Sequence, residues 1–163
     1  MNPRDTDSNL RVRLAQPDDC LDIAQLVRDR LELGLGWTWR PTKVQDAILD
    51  ADTDVIVATD SGGALQGVGM MSLGDENGHL QLLAVRAECA GQGIGRLLVE
   101  WLEACARAAG MARITLEARE SNIEGICFYR HLGYAKVGSV LGYYGGQETA
   151  IRLRKVLRSE AMA

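Results

Sequence analysis

Three glycines in alternating positions, Gly91, Gly93 and Gly95, stand between an apolar run and a long amphipathic pattern. Glycine destabilises most positions because its backbone loses more freedom on folding than that of other residues. The stretch therefore predicts a tight turn between a strand and a helix. The start of a helix offers unpaired N–H groups and the positive end of the helix dipole, which together bind phosphate. We expect the backbone of residues 91–96 to bind a phosphate-bearing ligand, with Arg96 adding a cation. An ordinary packed turn is the alternative.

Two common phosphate motifs do not fit this turn. The nucleoside-triphosphate loop G-x-x-x-x-G-K-[ST] is absent from the sequence. The dinucleotide fingerprint G-x-G-x-x-G fails because Arg96 occupies the position of its last glycine. That fingerprint usually follows the first strand of its unit, whereas this turn follows the fourth predicted strand. A nucleotide-binding oxidoreductase is therefore only the third hypothesis.

A second candidate site lies in the predicted strand ARITLEA, residues 112–118. Alternate residues of a strand share a face, so Ile114, Leu116 and Ala118 face one side. The opposite face carries four polar or charged residues: Arg113, Thr115, Glu117 and Arg119. A strand covered by helices on both sides has little reason for such a face unless it lines a wet cleft. Glu117 is therefore the candidate general base, with a solvated or ion-paired strand residue as the alternative.

Composition excludes several classes of protein. The 163 residues are typical of one soluble domain, and a net charge of −4 argues against nucleic-acid binding. We expect no membrane association, because no apolar run approaches the roughly 20 residues that cross a bilayer. The four cysteines show no CxxC spacing and only two histidines could join them, so we expect no metal site. A cytoplasmic location fits this cysteine pattern.

The helices and strands that must position these candidates are predicted from hydrophobic periodicity and from the Gly, Pro and Asp residues that separate the apolar runs. We expect a loose N-terminus at 1–9, one domain at 10–157 and a tail at 158–163. Within the domain we predict strands and helices in the order βααβββαβαββ. The predicted ranges are a strand at 10–15, helices at 17–33 and 40–50, strands at 54–59, 65–73 and 79–85, the helix after the glycines ending at Gly110, a strand at 112–118, a short helix ending at Gly133, and a hairpin of 134–144 and 147–157.

This order predicts a three-layer α/β domain with a mixed, mostly antiparallel sheet and helices on both faces. Alternation fails at Leu82 and Leu83, which favours a β-bulge there. The short helix opens with SNIE, a capping box in which Ser121 is the cap and Glu124 its partner.

Two segments together resemble the GNAT superfamily of acetyl-coenzyme A-dependent N-acetyltransferases. The first, VRAECAGQGIGRLLVEWL, is similar to the family turn [QR]-x-x-G-x-[GA] and the helix after it. The second, LEARESNIEGICFYRHLGYAKVG, is similar to N-x-x-A-x-x-[FL]-Y-x-x-x-G-[FY]. Its matching residues are Asn122, Gly125, Phe128, Tyr129, Gly133 and Tyr134. Two positions depart from the family pattern: Ala90 replaces Gln or Arg, and Gly125 replaces Ala.

The resemblance implies acetyl-coenzyme A as cosubstrate, with its pantetheine arm between the fourth strand and a splayed fifth strand. Main-chain amides near Leu83 and Val85 would bind the arm, and Tyr129 matches the tyrosine that protonates the coenzyme thiolate. A phenol with an ordinary pKa of about 10 is protonated at neutral pH and can donate. Packing of the short helix is the alternative role of Tyr129. The predicted cofactor-binding residues are Leu83, Ala84, Val85, Ala90, Gly91, Gln92, Gly93, Ile94, Gly95, Arg96, Asn122 and Tyr129.

In the family, two loops flank the acceptor, and both contain aromatic residues here. The first carries Trp37, Trp39 and Arg40, and the second carries Tyr143 and Tyr144. Paired tyrosines in this loop are similar to those of acetyltransferases that act on protein N-termini, including ribosomal-protein alanine. For the two tryptophans, the protein core or a dimer contact is the alternative.

We expect direct transfer in a ternary complex to the α-amine of a protein or peptide. In similar N-terminal acetyltransferases a glutamate stands twelve residues before the tyrosine, as Glu117 does before Tyr129. An α-amine with a pKa near 7.8 is neutral in about one molecule in seven at pH 7, whereas lysine is neutral in about one of thousands. A modest base suffices for the first. A free amino acid or another small amine is the alternative acceptor, and a module that binds acetyl-coenzyme A without transferring it is the alternative of a different functional class.

Overall fold

The computed structural model describes residues 9–32, 34–144, 146 and 148–158. The expectations for the two termini concern residues 1–9 and 158–163, most of which lie outside this range.

The elements are β1 Arg11–Leu14, α1 Cys20–Leu31, α2 Pro41–Leu49, β2 Thr53–Thr59, β3 Leu65–Leu73, β4 Asn77–Val85, α3 Ile94–Ala108, β5 Arg113–Arg119, α4 Ile123–His131, β6 Ala135–Tyr144 and β7 Glu148–Val156. The predicted order of strands and α-helices is confirmed. Short 3-10 helices at Pro17–Asp19 and Ala87–Cys89 precede α1 and the glycine turn.

The strands form one sheet in the order β1-β2-β3-β4-β5-β7-β6. The pairing of β4 with β5 is parallel, and the other pairings given by the described strands are antiparallel. The prediction of a mixed, mostly antiparallel sheet is therefore confirmed. Short turns join β2 to β3 and β3 to β4, whereas the connection from β1 to its antiparallel neighbour β2 contains α1 and α2. The parallel step from β4 to β5 uses α3 as its crossover.

Helices cover both faces of the sheet and create two hydrophobic cores. In the first core α3 packs on the sheet, with α4 partly buried beside it. In the second core α1 and α2 pack on the opposite face. The buried helical residues of the first core are Ile94, Leu98, Val99, Leu102 and Ala106, and those of the second are Ile23, Ala24, Leu26, Val27 and Val44. This is the three-layer arrangement that the sequence predicted.

The predicted β-bulge is present, one residue earlier than expected. Met70 pairs with Leu82 and Met71 pairs with Leu80, so Gln81 is the extra residue of β4. A bulge reverses the alternation of faces. As a result, Leu80 packs in the first core whereas Leu82 packs in the second.

The predicted boundaries of two helices are wrong. The helix predicted at 17–33 begins with a 3-10 turn, and α1 ends at Leu31 because the next residue, Glu32, binds the following loop instead. The cap of α4 is Asn122, whose side-chain oxygen accepts a hydrogen bond from the Gly125 N–H at 3.0 Å. Ser121 does not cap the helix because its hydroxyl donates to the carboxylate of Glu148 on β7.

The close packing of α3 on β3 gives a testable prediction at Gly67. A methyl group there would lie 3.0 Å from Leu98 Cδ1, 3.1 Å from Ile94 Cγ2 and 3.2 Å from the Ala84 carbonyl oxygen. Overpacking of this kind costs about 1–3 kcal/mol, so Gly67→Ala should lower the free energy of unfolding measured in urea.

The matched control is Gly138→Ala on β6, where a methyl group would meet nothing within 4 Å. With no clash, the loss of unfolded-state freedom should leave this variant as stable as wild type or more stable by up to about 1 kcal/mol. Equal unfolding free energies for both variants would contradict the proposed tight fit of α3 on β3.

Candidate functional site

The three glycines of the turn have two different structural roles. Gly91 and Gly93 adopt positive φ values of 78° and 82°, a region that other residues rarely enter. Gly93 is the N-cap of α3, and a Cβ at either position would meet nothing within 4 Å. The loop is therefore open above its backbone at the start of the helix. Gly95 lies inside α3, where a Cβ would be 3.3 Å from Phe128 Cζ on α4.

The cation predicted beside this turn has a partner on its own helix. The Nε of Arg96 lies 2.8 Å from Glu100 Oε1, one turn further along α3, and the Arg96 side chain is 69% exposed. Exposed pairs of this spacing contribute little stability, so the guanidinium is free to exchange Glu100 for a bound anion at small cost. Its role in phosphate binding stays a prediction.

A cleft opens where β4 leaves β5. Their pairing covers only Asn77–His79 with Arg113–Thr115, after which β4 follows β3 and β5 follows β7. Arg86 N donates to the Gln66 carbonyl on β3, and the Val85 carbonyl accepts from Arg30 Nε at 2.9 Å. Because backbone groups alternate in direction along a strand, Leu83 and Val85 direct their N–H and C=O groups into the cleft.

Tyr129 lies on α4 and is fixed by aromatic neighbours. Its ring makes edge-to-face contacts with Phe128 and Tyr134, at centroid distances of 5.1 and 5.7 Å. Tyr134 is buried, and burial followed by the charge of Glu103 raises its pKa well above the ordinary value. Glu103 is itself buried and pairs with Lys155 Nζ at 2.8 Å. The ring of Tyr129 therefore packs against the neutral phenol of Tyr134, which in turn lies beside the buried ion pair of Glu103 and Lys155.

Glu117 lies on the polar face of β5, as predicted from the alternation of its strand. Its Oε2 is 3.0 Å from His79 Nε2 and its Oε1 is 3.4 Å from Arg152 Nε. The carboxylate side chain is 14% exposed. His79 Nδ1 lies 3.0 Å from Thr115 Oγ1. Glu117 is thus ion-paired, as the alternative interpretation predicted, and it belongs to a connected polar cluster.

The first predicted acceptor loop is packed against the protein. Trp37 and Trp39 are both partly buried against the second core. The guanidinium of Arg40 lies 5.1 Å from the centre of the Trp37 ring, with Arg28 at 4.7 Å from the same ring. Core packing, the alternative given for the two tryptophans, is therefore part of their role.

The second predicted acceptor loop lies at the end of the last hairpin. Tyr143 is half-exposed there, and the side chain of Tyr144 lies outside the described part of the structure. Arg119 connects the two loop regions: one of its terminal nitrogens donates to the Leu31 carbonyl at the end of α1 at 2.9 Å. Its other terminal nitrogen is 3.8 Å from Glu148 Oε2 at the start of β7.

Residues 51–136 match the sequence family described as the acetyltransferase (GNAT) domain. That range includes the bulged strand, the glycine turn, β5 and α4. The chain belongs to the GNAT acetyltransferase family.

Known proteins similar to this GNAT domain agree with its fold. An uncharacterized N-acetyltransferase of Methanocaldococcus jannaschii is 40% identical over 80 residues, covering 48% of this chain and 51% of that protein. The chain spans about half the length of the curated relatives it matches. The ribosomal-protein-S18-alanine N-acetyltransferase of Escherichia coli is similar over 93% of this chain and 97% of its own, with a TM-score of 0.79 and 20% identity. The PaiA N-acetyltransferase of Thermoplasma acidophilum, solved with coenzyme A, is similar over 90% and 98%, with a TM-score of 0.78 and 16% identity.

One departure of this GNAT domain from the family pattern has a structural reason. A Cβ at Gly125 would lie 2.8 Å from Cγ of Asn122, which folds over this position to cap α4. Glycine therefore allows the Asn122 cap to approach closely. Ala90 follows the short 3-10 helix, is exposed and has an extended ψ of 142°.

Sequence reasoning missed three residues of the site in this GNAT domain. The sequence indicates His79 only as one of two histidines that could join a metal site, because its contact with β5 depends on strand order rather than on local periodicity. Arg30 reaches the cleft from α1. Glu32 is buried, and its carboxylate accepts hydrogen bonds from the N–H groups of Thr38 at 3.1 Å and Trp39 at 2.9 Å. The sequence signal for Glu32 was an acidic residue directly before a glycine-rich break in a helical pattern.

Among the described residues, no cluster of three or more His, Cys, Asp or Glu side chains could hold a metal ion. The helices within that same part of the chain are all too short or too polar to cross a bilayer.

The glycine turn of the GNAT domain gives a prediction about coenzyme binding. Gly93→Ala places a methyl group at a positive φ, which costs about 1–2 kcal/mol, and it projects into the open space above the loop. We expect calorimetry to show at least tenfold weaker binding of coenzyme A.

Gly63→Ala in the turn between β2 and β3 is the matched control, since Gly63 also has a positive φ of 85° and open space around it. Both variants should lose similar thermal stability, but the Gly63 variant should bind coenzyme A as wild type does. An equal loss of affinity in both would show that backbone strain, and not the turn, is responsible.

Proposed function

We propose that this protein transfers an acetyl group from acetyl-coenzyme A to a primary amine, by direct transfer in a ternary complex. The divergence of β4 from β5 carries this proposal, because it leaves cleft-facing backbone groups at Leu83 and Val85 between two further elements. One is the open glycine turn, and the other is α4 with Tyr129. The contact of Gly95 with Phe128 joins these two elements beside the cleft.

Each part of the coenzyme has a matching surface in this arrangement. The N–H groups of the first turn of α3 have no intrahelical acceptors and would bind the diphosphate. The pantetheine arm carries amide groups that would pair with the backbone of Leu83 and Val85. The Val85 carbonyl is bonded to Arg30, so the arm would replace that side chain on binding. An N–H group of the arm would then donate to the Val85 carbonyl in place of Arg30, so the number of hydrogen bonds to this carbonyl would stay the same.

The chemistry requires a polarised thioester, a neutral amine and a proton for the departing thiolate. The Leu83 N–H points into the cleft and would donate to the thioester oxygen, an interaction typically worth about 3–4 kcal/mol in the transition state. Tyr129 would donate its hydroxyl proton to the coenzyme sulfur. The polar cluster containing Glu117 would receive the proton of the amine.

We propose the α-amine of a protein or peptide as the acceptor. Support comes from the flanking loops, which Arg119 ties together, and from the similarity to an acetyltransferase of a ribosomal-protein alanine. The base available also suits this choice. Glu117 is ion-paired with Arg152 through one oxygen and contacts His79 through the other. An α-amine of pKa about 8 needs only a modest base of this kind, whereas lysine near 10.4 would need a stronger one.

The acceptor class predicts a clear order of turnover rates. Peptides with a free N-terminus should be acetylated at least tenfold faster than the same peptides blocked at the N-terminus but carrying lysine. The assay is release of free coenzyme A thiol, with acetylated peptide identified by mass spectrometry. Faster transfer to free amino acids or polyamines than to every peptide would contradict the acceptor assignment, and absence of any transfer would overturn the proposed activity.

The acid role predicts the behaviour of Tyr129→Phe. Loss of a general acid typically lowers rates by about 10²–10⁴-fold, so kcat should fall by about 100-fold or more. The dissociation constant for acetyl-coenzyme A should change less than threefold, because the ring contacts with Phe128 and Tyr134 are kept. Unchanged kcat in this variant would assign Tyr129 to packing alone.

A further inference from the structure

Three side chains form a continuous chain of polar contacts at the point where β4 and β5 separate, with a hydrogen bond between the first two and a charged contact between the last two. Thr115 Oγ1 is 3.0 Å from His79 Nδ1, and His79 Nε2 is 3.0 Å from Glu117 Oε2. His79 and Thr115 are register partners in the last pair that joins the two strands. Glu117 follows on the same face of β5, already beyond the paired segment.

The direction in which protons are donated along this chain follows from the donors and acceptors of its three members. An ionised carboxylate only accepts, so the neutral imidazole of His79 must carry its proton on Nε2 and donate it to Glu117. Nδ1 is then an acceptor, and the Thr115 hydroxyl donates to it. The Thr115 oxygen keeps lone pairs of its own, which are available to a further donor.

We propose that Thr115, His79 and Glu117 form a proton relay for the acceptor amine, in which Thr115 contacts the amine and Glu117 positions His79. In this step an N–H bond of the ammonium group breaks and its proton passes to Thr115 Oγ1. The former hydroxyl proton of Thr115 moves to His79 Nδ1, which gives an imidazolium beside the Glu117 carboxylate. The neutral amine then attacks the thioester, and Tyr129 protonates the departing sulfur. The remaining proton on the amide-forming nitrogen passes to the Tyr129 phenolate, and the imidazolium releases its proton to water. The relay rests on the proposed acetyl transfer.

The contacts of Glu117 favour this relay over direct proton transfer to the carboxylate. One oxygen faces His79 and the other faces Arg152 on β7, so an amine would have to share an oxygen with one of these partners. The His79 side chain is more exposed, at 34% against 14% for Glu117. Among the described charged groups, Glu117 contacts His79 directly, and Arg152 contacts the other oxygen of the Glu117 carboxylate. Together they leave the cluster near neutral before transfer and stabilise the imidazolium after it.

The test uses the full chain with acetyl-coenzyme A and the best peptide acceptor. Thr115→Val keeps the shape of the side chain but removes the hydroxyl, whereas Thr115→Ser keeps the hydroxyl. The relay predicts that Thr115→Val lowers kcat about tenfold or more and that Thr115→Ser stays within about threefold. His79→Gln should lower kcat about 100-fold, as expected for loss of a general base. His131→Gln, an exposed histidine on α4 outside the cluster, is the matched control.

Three further measurements separate a relay from a structural role. Added imidazole should restore part of the kcat of His79→Gly. Glu117→Gln should lower kcat while leaving the acceptor KM unchanged. The deficits of Thr115→Val and His79→Gln should shrink from pH 7 to pH 9, because an α-amine with a pKa of about 8 is then neutral before it binds. Deficits that stay constant with pH, together with failure of imidazole rescue, would assign the cluster to structure and overturn the relay.

The outcomes also distinguish this inference from the proposed function. Active wild type with Thr115→Val and His79→Gln both within twofold of it overturns the relay and leaves acetyl transfer intact. An acetyl group found on Thr115 by mass spectrometry after rapid quenching would replace the relay by a covalent intermediate. Wild type that transfers to no amine, although it binds coenzyme A, ends both proposals. Thermal unfolding and the coenzyme dissociation constant, measured for every variant, establish that each one is folded.

Discussion

The separation of β4 from β5 is the constraint on which the site depends. Within a sheet each backbone N–H and C=O has a partner, and a group left without one in a protected place costs free energy. When β4 turns to follow β3, Leu83 and Val85 lose the neighbour that β5 would have provided. Arg30 satisfies the Val85 carbonyl from α1. The cleft therefore has a built-in requirement for polar partners, which an amide-containing ligand meets.

The bulge at Gln81 lies close to the point where β4 separates from β5, and the two features shape the same part of the strand. An extra residue bends its strand and increases local twist, and here it comes directly after the short parallel pairing with β5. The same residue sends Leu80 and Leu82 into different cores. Both helical layers are thus packed onto the strand that borders the cleft. A change in the register of β4 would disturb both cores at once, which keeps the geometry of the cleft fixed.

The order of the elements could be predicted because each one leaves a local signal: period-two alternation in β5, helical spacing after the glycines, and Gly or Asp at the turns. Contacts between distant elements leave no such signal. Ser121 fits the sequence rule for a helix cap, but Glu148, which lies on β7, takes its hydroxyl. The polar face of β5 was visible in the sequence, whereas the partners of Glu117 come from β4 and β7 and depend on the order of strands. The tryptophans of the first loop were ambiguous for the same reason.

The helices α3 and α4 pack closely where Gly95 meets Phe128. A Cβ at Gly95 would lie only 3.3 Å from Phe128 Cζ. Phe128 precedes Tyr129, and Gly95 lies in the first turn of α3. The distance between the proposed diphosphate site at the start of α3 and the phenol of Tyr129 on α4 is therefore fixed by close packing of the two helices. A ligand that uses both must have a linker of matching length between its charged group and its reactive atom. With the coenzyme site proposed above, this spacing would select the donor by its length, because a shortened carrier would reach one end of the cleft but not the other.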